Sequence, residues 1–247
     1  MAAVISLYNI KGGVGKTTTA ASLAAFFAAK GVRVLAVDMC RCGALAGYFV
    51  DKPLFENTFA AIMNGEHLSV FAYRENLHVC RCFVEDEAFR KIDDYKAMDG
   101  FFRMFDDLCR DYELVVTDIP GDRSPLSLAA LTVSDRILVP LKADRMNMSA
   151  IESVMFFLDT FGLRGRADLF FTMHDVRERN SVAVEGEARA LYGGSVMETS
   201  VRRNVSLCEA PAHFQDIFTY RPKSSGAADY AALADELYGR MTSNDNL

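Results

Sequence analysis

No apolar run in this 247-residue chain approaches the roughly 20 residues of a membrane span, and no basic region precedes an apolar one at its start. The chain is therefore expected in the cytoplasm, with no membrane partner. Basic charge is also in short supply. Lys and Arg number 27 against 33 Asp and Glu, a formal charge of −6 at pH 7. That excludes a protein that coats nucleic acid over its whole surface, while leaving room for a local basic patch. No linker, internal repeat or low-complexity tract interrupts the chain, so one domain over 1–247 is expected. Its polar end, "TSNDNL" (242–247), reads as a flexible tail and offers no amphipathic anchor. His174 has no second ligand nearby in sequence. In a reducing compartment the six cysteines are expected to be reduced, metal-bound or reactive rather than paired as structural disulfides.

What is there is an alternation of strand and helix signals. "AVISLYNI", "VRVLAVD", "LHVC", "ELVVTD", "RILVPLKA", "DLFFTM" and "GSVMETSV" are β-branched and apolar runs of buried-strand type. Between them lie helical stretches: "TTTAASLAAFFAAKG", "GFFRMFDDLCRDY", "MSAIESVMFFLDTFG" and "VAVEGEARALYGG". "SSGAADYAALADELYGRM" closes the chain. The mixed-charge stretch "VEDEAFRKIDDYKAMDG" reads as a surface helix. This order predicts an α/β fold: a doubly wound, mostly parallel sheet with helices on both faces.

The first strand runs into "NIKGGVGKTTT" and then a helix, which is the setting a phosphate loop needs. Such a loop works because consecutive backbone N–H groups point inward at an anion and glycines permit the tight turn. Gly12, Gly13, Val14, Gly15, Lys16, Thr17 and Thr18 are expected to bind a nucleotide. Lys16 is expected to reach the β- and γ-phosphates, and Thr17 to hold Mg²⁺ through its hydroxyl. ATP and Mg²⁺ are the ligands this pattern predicts. The strict pattern, however, wants glycine where Ile10 stands, and Lys11 is an additional charge.

"KGGVGKTT" resembles the deviant Walker A loop of the ParA/MinD group of P-loop NTPases. The tail "RRNVSLCEAPAHFQDIFTYRPKSSGAADYAALADEL" and the stretch "TMHDVRERN" are similar to ParA/Soj DNA-partitioning ATPases in particular. The resemblance implies that Lys11 reaches across a homodimer to the partner's nucleotide, so that dimerisation depends on ATP. It implies magnesium held at Asp118 of "TDIPGD", where Gly121 replaces the family's second proline, and Lys11, Lys16 and Asp38 as catalytic residues. Pro222 would line the adenine. Arg202, Arg203, Arg221 and Lys223 would contact DNA without reading its sequence. The implied function is an ATPase that positions a plasmid, chromosome region or other cargo on the nucleoid with a ParB-like or cargo adaptor.

The chain departs from that family at "VDMCRCGAL". Asp38 and Gly43 remain, but Cys40 stands where a second aspartate helps position the attacking water. A thiol is a weak acceptor, so slow hydrolysis is expected. A second "CRC" follows at 80–82. Cys40, Cys42, Cys80 and Cys82 could meet at one sheet edge and hold zinc or an iron–sulfur cluster, or form a dithiol switch. The alternatives are thus a metal- or redox-handling ATPase of the same fold, or a non-hydrolysing ATP-binding switch. Cys109 and Cys208 read as buried hydrophobes.

Overall fold

The computed structural model describes residues 2–51, 69–82, 94–175 and 177–244. Seven strands form one sheet in the order β3-β4-β2-β5-β1-β6-β7. They are β1 (Ala3–Leu7), β2 (Val34–Asp38), β3 (Val70–Arg74), β4 (Leu77–Arg81), β5 (Leu114–Asp118), β6 (Arg136–Lys142) and β7 (Ala167–Thr172). All neighbours pair in parallel except the β3–β4 hairpin at the edge. The predicted doubly wound, mostly parallel sheet is the observed one.

Alternation along the strands builds two cores. In β2, Leu35 and Val37 face one apolar cluster while Val34 and Ala36 face the other, because successive side chains leave opposite faces of a strand. The first cluster is covered by α2 (Asp94–Cys109), α3 (Pro125–Thr132), α4 (Arg145–Thr160) and α5 (Arg179–Tyr192); the second by α1 (Lys16–Ala29) and, after the short helices α6 (Val205–Glu209) and α7 (Ile217–Tyr220), by α8 (Ser225–Asn244). Every residue of α1 from Thr19 to Ala28 is buried. Its alanines let it lie close to both the sheet and α8, and a helix apolar on all sides belongs inside.

Three features differ from the sequence expectation. "GSVMETSV" is not a strand. After a short 3₁₀ turn it meets β7 at a single isolated bridge, Val196 with Leu169, and through the Met197 and Val201 N–H groups, which donate to the Leu169 and Phe171 carbonyls at 2.7 and 2.8 Å. Between them the N–H groups of Glu198 and Thr199 turn away to the Glu236 carboxylate at 2.9 and 2.8 Å, so no continuous ladder forms. The edge strand β3 is additional. So is α3, which Ser124 caps through its side chain with Pro125 in the first turn. Most of "VEDEAFRKIDDYKAMDG" and the last residues of the tail, 245–247, lie outside the described residues.

Candidate nucleotide and metal site

Strands β1, β2 and β5 end side by side, and the predicted phosphate loop follows the first of them. Register pairs Leu7 with Asp118 and Asp38 with Asp118, so both acids stand at the carboxyl ends of the central strands. That is where open α/β sheets place their ligands. Asn9, buried just after β1, shapes the loop entrance. Its Oδ1 accepts the Lys11 N–H at 2.9 Å and its Nδ2 donates to the Pro140 carbonyl at 2.9 Å, tying the loop to β6. From β7, Thr172 Oγ1 donates to the Val14 carbonyl at 2.8 Å. Gly13 and Gly15 have φ of 70° and 92°, the left-handed region where a side chain is strained. Gly15 starts α1 with no side-chain cap and no acid in the first turn, which leaves that end of the helix open to an anion.

Lys16 folds back over the loop, its Nζ donating to the carbonyls of Asn9 at 3.0 Å and Lys11 at 3.3 Å. It can do so because Gly121 lies beside it. A Cβ at 121 would stand 2.8 Å from the Asn9 carbonyl oxygen and 3.3 Å from Lys16 Nζ. Lys11 extends the other way, 3.7 Å from the Asp144 carboxylate that opens α4; Lys142 approaches the same acid at 3.9 Å.

Beneath the loop Thr17 Oγ1 donates to Asp118 Oδ2 at 2.6 Å. Asp118 is fully buried, and its Oδ1 has no hydrogen-bond partner among the described residues. Burial pushes its pKa up to about 7, with the Asp38 charge adding to the rise and the Thr17 bond and Lys16 opposing it. A buried carboxylate oxygen without a partner, next to a threonine hydroxyl, suits a hard cation that takes oxygen ligands. Thr17 and Asp118 therefore fit the Mg²⁺ of a nucleotide. Asp38 is also fully buried, but backbone N–H groups occupy both its oxygens: Cys40 at 3.0 Å and Ala46 at 2.9 Å. Burial raises its pKa against the pull of those two bonds. The structure thus places Asp38 as the anchor of the loop that carries Cys40. The Cys40 thiol turns inward, 3.7 Å from the Asp118 carbonyl, and burial with the two neighbouring acids holds it protonated.

Beside Gly15 and Thr18 opens a cavity of about 320 Å³ lined by Tyr48, Met173, Arg203, Asn204, Pro211 and Tyr230 among others. Tyr48 donates to Thr18 Oγ1 at 2.9 Å. Pro222, expected beside the base, is not among the lining residues; it is exposed, and Pro211 lines the cavity instead. All four predicted DNA contacts are exposed; the Arg202 guanidinium is in addition bound through two nitrogens to Asp229, the shortest contact being 2.6 Å. Sequence reasoning missed Asn9, Thr172, Asp144 and the cavity's Pro211. Asn9 lay inside the motif itself, but the others act from distant elements and left no local signal.

The two Cys-Arg-Cys pairs do not converge. Cys80 and Cys82 are buried in the apolar core against Leu35 and Val37, and Cys42 is exposed. Among the described residues the one group of three close ligating side chains is Asp38, Cys40 and Asp118. Cys109 is buried as expected; Cys208 is exposed, a correction that follows from its place on the outer side of a one-turn helix, α6.

The family described as an AAA domain matches residues 2–170. The chain is 34% identical over 246 residues to the chromosome-partitioning ATPase Soj of Thermus thermophilus, covering 96% of both chains. Among solved structures, a plasmid partition protein from Borrelia burgdorferi bound to AMPPNP superposes with a TM-score of 0.78 at 17% identity, over 97% of this chain and 100% of that one. The septum site-determining protein MinD of Pyrococcus horikoshii with Mg-ADP gives 0.76 at 21% identity, over 96% of each. At those identities the structures speak for the fold alone.

Proposed function

The chain belongs to the ParA/Soj family of ATPases, and from that premise we propose that it hydrolyses ATP slowly, dimerises on ATP and positions cargo on DNA. The observation that carries this reading is the Thr17–Asp118 pair with its one unpartnered buried oxygen, directly under an open helix start and the Lys16 ammonium. ATP would lie with its phosphates on the N–H groups of 12–18 and its base toward the cavity of Tyr48, Asn204 and Pro211. Lys16 would leave the carbonyls of Asn9 and Lys11 for the β- and γ-phosphates. Thr17 and Asp118 would hold Mg²⁺, which offsets phosphate charge when bound.

Lys11 would serve a second copy of the chain, where two facing nucleotides bring several negative charges together. Its present contact with Asp144 is half exposed. Such a pair is worth about 1 kcal/mol or less, so it does not hold the lysine back. For hydrolysis a water must be oriented in line with the γ-phosphoryl, and fixed acceptors do that. Where the family pattern has an aspartate for that role this chain has the Cys40 thiol, a weak acceptor. Slow turnover, and a long-lived ATP dimer, follow.

DNA contact rests on Arg203, Arg221 and Lys223, since Arg202 already holds Asp229. A dimer doubles this patch, which is how an acidic chain acquires sequence-tolerant, salt-dependent affinity for the nucleoid. A ParB-like or cargo-bound adaptor would trigger release. Sedimentation with no nucleotide, ADP, ATP and a slowly hydrolysed analogue tests this. The parent should dimerise only with ATP or the analogue, and should bind DNA in that state. Lys11→Ala should bind ATP and stay monomeric; a Lys11→Ala dimer as stable as the parent's would overturn the role given to Lys11.

A further inference from the structure

We propose that Asp38, Cys40 and Asp118 form a binding site for a thiophilic divalent cation of the zinc and cadmium class at the floor of the phosphate loop. One carboxylate oxygen from each acid and the Cys40 sulfur all lie within 4.8 Å of one another. This is more than a cluster of acids with a nearby thiol, because Asp118 is fully buried and its Oδ1 has no hydrogen-bond partner among the described residues.

The frame is rigid on every side. Asp38 and Asp118 are paired neighbours in the sheet. Asp38 is fixed by the N–H groups of Cys40 and Ala46, and each of its oxygens keeps a second lone pair for a metal. The chain after Cys40 closes a turn, Gly43 N–H to Cys40 carbonyl at 3.0 Å, so the cysteine backbone is held from both directions. The thiol must turn from the Asp118 carbonyl toward the two carboxylates. Zinc binds sulfur at about 2.3 Å and carboxylate oxygen at about 2.0–2.2 Å, so the three atoms draw together by roughly 1 Å.

The donor set decides the class of ion. Magnesium takes oxygen ligands and gains nothing from a thiol, whereas thiolate selects soft and borderline cations. On binding, the sulfur–metal bond forms and the thiol proton leaves to solvent. The buried acids that now discourage a thiolate are then offset by two positive charges. Three protein ligands leave a fourth position for water or a phosphate oxygen.

The site itself needs only these side chains. Its consequence rests on the ATPase reading. Because the same Asp118 oxygen would serve Mg²⁺, a thiophilic ion excludes Mg·ATP or arrests it, and an aspartate at position 40 would not confer that sensitivity.

The test uses the full chain with Cys42→Ser and Cys208→Ser, which removes the exposed thiols. Cadmium is titrated into nucleotide-free protein and the ultraviolet sulfur-to-cadmium charge-transfer band is followed. One equivalent should bind with the band present, Cys40→Ser should abolish the band, and Asp118→Asn should weaken binding at least ~10-fold. In the parent, bound cadmium should protect Cys40 from alkylation, as read by peptide mass; this holds even if a variant folds poorly. Absence of the band, its survival in Cys40→Ser, or unprotected Cys40 at saturating cadmium overturns the site. Mg·ATP binding to metal-free parent protein is measured separately. Its failure with the cadmium band intact would overturn the ATPase reading and leave the metal site standing.

Discussion

Asp118 and Asp168 are both buried acids of the same sheet, at opposite ends of its strands, and their surroundings differ in kind. Asp168, near the start of β7, has a cation on each oxygen: Arg136 at 3.4 Å and Arg240 at 2.9 Å. Arg240 also bonds Glu236 at 2.9 Å and the Gly194 carbonyl at 2.8 Å. Asp118, at the end of β5, has Thr17 on one oxygen and, among the described residues, no hydrogen-bond partner on the other. Burial raises the pKa of both acids, but at Asp168 two arginines oppose it, where Asp118 meets the like charge of Asp38. One end of the sheet neutralises its acid with the protein's own groups and is thereby structure. The other leaves its acid incomplete, and on the proposed function the missing partner is a ligand.

The largest expected effect breaks the compensated end. Arg136→Met would leave Asp168 with one arginine and should destabilise the fold by about 3–5 kcal/mol in denaturant unfolding, the cost of breaking a buried pair. Mg·ATP affinity, measured by calorimetry on the folded variant, should not change. Equal damage to both would show that the two ends are not independent.

The next removes the charge at the incomplete end. The unfolded acid loses its proton near pH 3.8, and folded Asp118 keeps it to about 7. Between those values the unfolded state binds fewer protons, so the contribution of this group to stability falls as pH rises, and it is flat above. Asp118→Asn should abolish that slope and stabilise nucleotide-free protein above pH 7. Its Mg²⁺-dependent ATP binding should disappear. In the parent, Mg·ATP should flatten the slope, since a bound cation favours the ionised acid. Thermal unfolding against pH, with and without Mg·ATP, decides this.

The smallest adds an acid where none is compensated. Cys40→Asp should raise kcat about 10-fold, a barrier change of roughly 1.4 kcal/mol, while lowering the stability of nucleotide-free protein. Unchanged turnover at saturating ATP would show that the missing carboxylate is not what limits the enzyme.

This contrast also marks what could be read in the sequence. The phosphate loop and Asp118 were legible because local pattern carries them: an apolar strand, a glycine-rich turn, then a helix. The pairing of Asp168 with Arg136 and Arg240 was not, since it joins residues 32 and 72 positions apart. "GSVMETSV" has the composition of a strand, but the Glu236 carboxylate of a distant helix takes the N–H groups of Glu198 and Thr199 and interrupts the ladder. The cysteine pairs looked equivalent as text. Strand register separated them, burying Cys80 and Cys82 on a core face while Cys40 followed β2 to the site.

Gly121 gives the loop after β5 and the phosphate loop a shared boundary with no side chain between them. Two surfaces in direct backbone contact have no slack, so a displacement of one is handed to the other undamped. Anything that shifts the loop carrying Pro120 and Gly121, from a docked partner to a strained neighbour, is therefore felt at the Asn9 carbonyl that holds Lys16. Position 121 is in this sense a mechanical linkage one carbon wide. A bulkier residue there would act as a wedge, altering the reach of the lysine without changing a single charge.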